Sequence, residues 1–314
     1  MLLEFVFRPR GFVGRPVRSF TLFGAICWGV KYLYSEERLK DMLNMFKEKP
    51  PFVISSPIYE IKGELYFPKP QMPTEGIDYC KEGVKIYSEL KKIKKRAWVK
   101  ESVFKGFLDG KIRSINELVN VIEEENKVDV KKVLLPHAQI NRLTSTTVGG
   151  EYYVEEAYSV PAFRVFVRFF DESYRDMVIS ALRFVPLGKN KSTGFGCFDV
   201  QVEEKDHWIL EYLEPRSEKM VLLSESLYDS SYELEESMYD VFVYRGAVEN
   251  YYEKPSANIW KKRLLYLEPG SVIKVKEKKQ VYGSIRRVQL DEGFSVYQYG
   301  YAFGLFVRES HGGA

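Results

Sequence analysis

The chain has 314 residues, more than a single hydrophobic core ordinarily supports, so its length predicts two domains. Hydrophobic residues at 45%, aromatics at 15% and charged residues at 29% exclude a disordered chain, and a net charge of +3 excludes reading a polyanion partner from total charge alone. Cys27, Cys80 and Cys197 are odd in number and in no paired spacing, so neither a disulfide framework nor a zinc site is supported, and the cytoplasm is the expected compartment.

The opening stretch LLEFVFRP places Leu3, Phe5 and Phe7 on one face and Glu4, Val6 and Arg8 on the other, the pattern of a half-buried strand. A run of arginines, Arg8, Arg10, Arg15 and Arg18, precedes the apolar segment SFTLFGAICWGV, which mimics a secretion signal. That segment is too short to span a bilayer and continues directly into charged helix, so no membrane segment is expected. Phe23, Ile26, Cys27, Val30 and Leu33 recur at helical spacing, with Ser19 placed to cap the helix. A second helix through Leu39, Met42, Leu43 and Phe46 stops at KEKPP.

Residues 50–80 are proline-rich and predict short strands and turns. Between 91 and 113 nine Lys and Arg face two acids, the densest basic stretch of the chain. SINELVNVIEEEN reads as a short helix opened by a capping box, Ser114 with Glu117 three residues on. Residues 132–160 then suit two strands around a polar tip, a projecting hairpin with Gly149 and Gly150 at a turn or bulge. AFRVFVRFF alternates strictly, DESYRDMVISALRFV is helical, and CFDVQVEE leaves the loop GKNKSTGFG as a strand. The expected class is therefore α+β, with the order of a ferredoxin-like sheet carrying insertions over residues 1–205.

Residues 203–240 hold twelve acids against Lys205, Arg216 and Lys219, which marks a boundary or an acidic face. Strand patterns dominate beyond it, and Gly300 and Gly304 before LFV echo Gly194 and Gly196 before CFDV, so residues 206–314 are expected to form a second copy of the same domain.

The loop GKNKSTGFG invites comparison with a nucleotide-binding P-loop, but Lys191-Ser192 precedes Gly194 and a strand follows where a helix is required. What remains is a glycine-rich turn whose N–H groups suit an anion nest beside Lys189 and Lys191, or equally an ordinary tight loop between helix and strand. The arginine-rich loop before the first helix offers a companion anion site, or a basic surface loop with ordinary capping. Arg164, Phe166 and Arg168 share a strand face of the kind on which single-stranded RNA stacks, although aromatics on strands are mostly core. His137, His207 and His311 sit at no recognisable catalytic spacing, and metal-ligand clusters are absent from the sequence, so no cofactor or metal is expected.

Two stretches resemble the RAMP superfamily of CRISPR proteins: RPVRSFTLFGAICWG is similar to its Ser-x-Thr-Leu-Phe-Gly-Ala opening, and GKNKSTGFGCFDV to its glycine-rich loop. Within that superfamily ELYFPKP, INRLTSTTVGGEYYVEEAYS and YQYGYAFGLFV resemble the type III-A (Csm) subunit that caps the 5′ end of the guide RNA. The resemblance implies two ferredoxin-like, RRM-related domains with a protruding β-hairpin, no catalytic activity, and binding of the repeat-derived 5′ handle of crRNA. It implies contact with the large polymerase/cyclase-like subunit on one side and the first backbone RAMP subunit on the other. Carried onto this chain, it offers Lys189, Lys191, Ser192 and the N–H groups of Thr193, Gly194, Phe195 and Gly196 to handle phosphates. It likewise offers His137, Asn141, Arg142 and Thr144 of the hairpin, and Arg10, Arg15, Arg18, Ser19 and Thr21 at the first helix start. The opening departs from the superfamily, which usually sets an Asp or His around Ser-x-Thr, whereas here Arg18 and Phe20 flank Ser19. A metal-independent repeat-processing endonuclease using His137 is the alternative.

Overall fold

A computed structural model describes residues 1–73, 91–121, 128–204, 206–249, 259–288 and 295–308; Cys80, Lys205, His311 and the helix pattern over 122–126 lie outside them. The first strand, β1 (Leu2–Pro9), is buried continuously from Leu3 to Phe7 instead of alternating. It lies between two antiparallel neighbours, β8 (Phe163–Phe169) and β9 (Phe198–Glu203), so the half-buried expectation gives way to a central strand covered on both faces.

Two helical connections return the chain across this sheet. From β1, α1 (Ser19–Leu33) and α2 (Glu36–Glu48) lead to β2 (Phe52–Ile54) and β3 (Ile58–Ile61), both antiparallel to β8; from β8, α5 (Arg175–Phe184) leads to β9. Strands β4 (Glu64–Pro68) and β5 (Trp98–Lys100) extend the sheet beyond β3, giving the order β5-β4-β3-β8-β1-β9. Helices α1 and α5 touch at Gly29, where a Cβ would lie 2.4 Å from that of Ala181, so only glycine admits this approach. Phe23, Ile26 and Val30 face inward as the helical spacing predicts, while Leu33 is exposed. Helices α3 (Glu101–Leu108) and α4 (Ile115–Val121) follow β5; Ser114 accepts from the Glu117 N–H at 3.3 Å, whereas the Glu117 carboxylate accepts from the Arg113 N–H at 2.6 Å, half of the capping box. The hairpin is β6 (Lys131–Asn141) with β7 (Thr146–Ser159), bulged where Gly149 takes φ 60°.

The C-terminal part departs from expectation. Its described residues form β10 (Lys219–Leu222), β11 (Tyr232–Met238), β12 (Val241–Tyr244), β13 (Leu264–Leu267), β14 (Val272–Val275), β15 (Gly283–Arg287), β16 (Tyr297–Tyr301) and β17 (Gly304–Phe306), with no α-helix among them. Four strands pair as β11-β14-β10-β17, and β12-β13 and β15-β16 form ribbons. A second ferredoxin-like domain would bury its sheet under two helices of its own. Here β16 instead packs on α1 of the N-terminal part, Tyr299 stacking on Phe23 at 4.9 Å and accepting at its hydroxyl oxygen from the Ile54 N–H at 2.9 Å. One hydrophobic core runs from Leu3 and Phe5 through Phe46 to Tyr266, Tyr299 and Leu305, across residue 205. Nor does the glycine loop recur: Gly300 lies within β16, where a Cβ would meet the Leu227 side chain at 2.3 Å, and Gly304 starts β17. Among the described residues no helix is long and apolar enough to cross a membrane.

The face of β8 proposed for RNA stacking is also closed. Phe166 is fully buried beneath the His207 ring at 4.7 Å. Arg164 pairs with Glu4, Glu60 and Glu203, and Arg168 with Glu214 and the Leu213 carbonyl. Those pairs also engage acids of the 203–240 stretch, as do Glu211 with Arg308 and Glu233 and Glu236 with Lys274, so the acidic composition is largely answered within the fold.

Candidate nucleic-acid interface

The loop between α5 and β9 takes left-handed backbone at four positions, Gly188 (φ 88°), Asn190 (φ 60°), Gly194 (φ 89°) and Gly196 (φ 73°), around a 3₁₀ turn at Lys191–Thr193. Its neck is closed by the Leu187 N–H donating to the Gly196 carbonyl at 2.8 Å, and a Cβ on Gly196 would lie 1.9 Å from the Leu187 oxygen. Thr193 and Phe195 N–H groups donate to Asn190 O at 3.1 and 3.2 Å, Gly194 N–H to Lys191 O at 3.1 Å, and Gly196 N–H to Phe12 O at 2.8 Å. The anion nest expected of these four N–H groups is therefore not formed: three hold the turn itself together and the fourth ties it to the arginine-rich loop. What the loop presents outward is side chains. Lys189, Ser192 and Thr193 are exposed, Lys191 meets Glu249 at 2.9 Å, and Phe195 is buried with its ring 6.4 Å from Phe12.

The arginine-rich loop lies directly against it. Since β1 ends where β9 begins, with Pro9 opposite Phe198, the Arg10 N–H reaches the Cys197 carbonyl at 3.0 Å. Gly14 lies under the Lys189 stem, where a Cβ would come within 2.2 Å of its Cγ. Arg10 donates from Nε to Asp199 at 2.7 Å, and this hydrogen bond holds the Asp199 carboxyl below its ordinary range. Arg15 is exposed. Arg18 lies 4.1 Å over the Phe242 ring and 3.3 Å from Glu225.

Glu225 overturns the capping expectation. The N-cap of α1 is Arg18, with no side-chain cap, and Ser19 is the first helical residue, fully buried. The Glu225 carboxylate, 206 residues away, accepts from the Ser19 N–H at 3.0 Å and the Ser19 hydroxyl at 2.6 Å, and from Ser56 Oγ at 2.5 Å. A carboxylate of the chain itself thus occupies the positive end of the helix, so Ser19 is withdrawn from solvent and that terminus is not an open phosphate site. Thr21 sits within the first turn, partly buried, its N–H on the Arg18 carbonyl at 2.9 Å.

The hairpin is moored to both loops. Val13 and Tyr158 exchange main-chain hydrogen bonds at 2.9 and 2.8 Å, and Asn190 bonds Glu155. His137 stacks on Tyr153 at 5.0 Å with Nε2 3.5 Å from Glu155. At the tip the Asn141 side chain accepts from the Leu143 N–H at 2.9 Å and Thr144 bonds Thr146 at 2.8 Å, so these two build the turn, while Arg142 and Leu143 project into solvent. Tyr152 and Tyr153 are 75% and 61% exposed, an aromatic pair in the GGEYY stretch whose strand pattern alone does not mark it as open. Asn190 and Glu155, 35 residues apart, are joined only by the fold.

The structure therefore gathers the glycine loop, the arginine loop and the hairpin base into one region. Its open groups are cations (Arg15, Lys189), hydroxyls (Ser192, Thr193) and aromatics (Tyr152, Tyr153), which suit phosphates and unstacked bases, while Arg142 stands apart at the hairpin tip. Among the described residues no group of three or more His, Cys, Asp or Glu is arranged to hold a metal ion.

No protein-family model matches the sequence, and no curated protein matches it. Solved structures do. A chain of the Csm1–Csm4 cassette in complex with pppApA aligns at TM-score 0.63 with 19% identity, covering 99% of each chain. A chain of that cassette in complex with cA4 aligns at TM-score 0.62 with 18% identity, covering 98% of each. A chain of the Csm3–Csm4 subcomplex of the type III-A CRISPR-Cas interference complex aligns at TM-score 0.62 with 19% identity, covering 98% of this chain and 100% of that one. Csm4 is the subunit common to these assemblies, and at this identity the likeness is one of fold, extending over essentially the whole chain.

Proposed function

We propose that this chain is a Csm4-like RAMP subunit of a type III-A CRISPR effector complex, a non-catalytic scaffold that binds and caps the 5′ handle of crRNA. In this reading it bridges the large polymerase/cyclase-like subunit to the first backbone RAMP subunit. The observation that carries the proposal is the chain-long likeness of fold to chains taken from both a Csm1–Csm4 cassette and a Csm3–Csm4 subcomplex. The meeting of glycine loop, arginine loop and hairpin supports the RNA side of it. Residues 1–205 supply the handle-binding domain, with Lys189, Arg15 and Arg142 as phosphate contacts; residues 206–314 form a strand-built second domain.

The test is binding of a repeat-handle RNA across a salt series. Lys189→Ala with Arg142→Ala is expected to weaken binding and to lower the salt slope by about one per lost phosphate contact. Unchanged affinity and slope would refute the assignment. Incubation with repeat RNA in EDTA is expected to leave the RNA intact; cleavage abolished by His137→Ala would favour the endonuclease reading instead.

A further inference from the structure

The glycine loop does not end the basic surface. Lys191 pairs with Glu249 at 2.9 Å, and the strand segment behind Glu249 pairs with the segment that opens Trp260-Lys261-Lys262-Arg263. Val248 N–H bonds Ile259 O at 2.7 Å, Lys261 N–H bonds Gly246 O at 2.9 Å, and Ala247 bridges Trp260. Trp260 is 49% exposed, an unusual placement for the largest side chain, and Arg245 stacks its guanidinium 5.3 Å from the indole while its Nε is anchored on the Lys261 carbonyl at 3.3 Å. Lys262 and Arg263 are exposed beside it. A main-chain bond from Lys262 N–H to Val288 O at 2.9 Å brings the end of β15, with exposed Arg286 and Arg287, alongside. Lys261 is not part of this group: it turns inward to Gln298, and burial lowers its pKa.

We infer that Trp260 and Arg245, with Lys262, Arg263, Arg286 and Arg287 around them, form a second single-stranded RNA contact, in which one unpaired base stacks on the Trp260–Arg245 pair and the cations take the adjoining phosphates. An arginine-backed tryptophan amid exposed cations is what unstacked nucleotides bind without sequence readout. Its continuity with the glycine loop through Lys191 and Glu249 makes one strand able to run over both. The inference rests on the proposed handle binding and adds a contact from the C-terminal part.

The test measures affinity of the full chain for a fluorescein-labelled repeat-handle RNA, with Lys189→Ala/Arg142→Ala as the reference variant. Trp260→Ala is expected to weaken binding about 5- to 150-fold, the loss of one base stack, and Trp260→Phe to recover part of it. Lys262→Ala with Arg263→Ala, at exposed positions where folding is not at stake, is expected to lower the salt slope by about two. If these variants bind RNA as the parent does while the reference variant is weakened, the second contact is refuted and handle binding stands. If neither set is weakened, both readings fail. Loss of a protein subunit from the assembled complex on Trp260→Ala, with RNA affinity unchanged, would make this surface a protein contact and overturn the inference.

Discussion

Replacing Glu225 by alanine should loosen the junction between the two parts of the chain more than almost any other single polar change. The carboxylate is 2% exposed and receives the Ser19 N–H, the Ser19 hydroxyl and the Ser56 hydroxyl, with Arg18 3.3 Å from its second oxygen. Truncation strands the Ser19 and Ser56 hydroxyls, which have some freedom to turn, and the positive end of α1, and leaves the Ser19 N–H with Ser56 Oγ at 3.0 Å as its one remaining acceptor. Each orphaned buried donor costs about 1–3 kcal/mol, but the hydroxyls relax, and breaking one side of a buried charged cluster typically totals about 3–5 kcal/mol. Glu225→Gln keeps the shape and an acceptor for the Ser19 N–H, and loses the charge facing Arg18 and the helix end, about 1–2 kcal/mol. Urea unfolding reads both values from the midpoint at constant slope. Because one core crosses residue 205, a single transition is expected from probes in either part. A Glu225→Ala loss below about 1 kcal/mol, or equal losses for alanine and glutamine, would refute the account in which Glu225 serves as the cap of α1.

Gly196→Ala is expected to deform the loop neck, since its Cβ would sit 1.9 Å from Leu187 O; Gly194→Ala meets open space and bears only the strain of φ 89°, about 1 kcal/mol, so a thermal melt should separate the two widely. Burial raises the Cys27 thiol to about 12 from 9.0, so between those values the unfolded chain releases a proton that the folded one keeps. Stability from this group is complete below pH 9 and lost as pH rises toward about 12, by up to about 1.4 kcal/mol per unit; Cys27→Ala should flatten that alkaline slope in urea titrations at each pH. Glu155→Ala removes the Asn190 mooring and should speed hydrogen exchange over β6 and β7 with little change in global stability; unaltered exchange would mean that Val13 and Tyr158 alone hold the hairpin.

Much of the N-terminal part is legible in the residues. The alternation of Phe163 to Phe169, the helical spacing of Met177, Val178, Ala181 and Leu182, and the glycines around Lys191 each report local geometry, which neighbouring residues dictate. The P-loop was excluded by the same local logic, and the loop indeed runs from a 3₁₀ turn into β9. Hairpin and glycine loop were recognisable separately. Their meeting was not, because it follows from β1 and β9 being neighbours in the sheet, a pairing of residues about 190 apart.

Sequence by itself determined the α+β class, the identities of β1, α1, α2, the hairpin, β8, α5 and β9, and which loop carries lysines at its surface, but not β5 and α3 within the basic stretch. Tertiary structure decided which of those groups remain open. The N–H groups of Thr193 to Gly196 turn inward on carbonyls of the turn and of Phe12, Ser19 is enclosed by Glu225, and Arg164 and Arg168 are met by acids from distant segments. A buried donor or cation takes whatever acceptor the fold brings within reach, and that acceptor is set by the packing of elements far apart in the chain, so no reading of neighbouring residues identifies it.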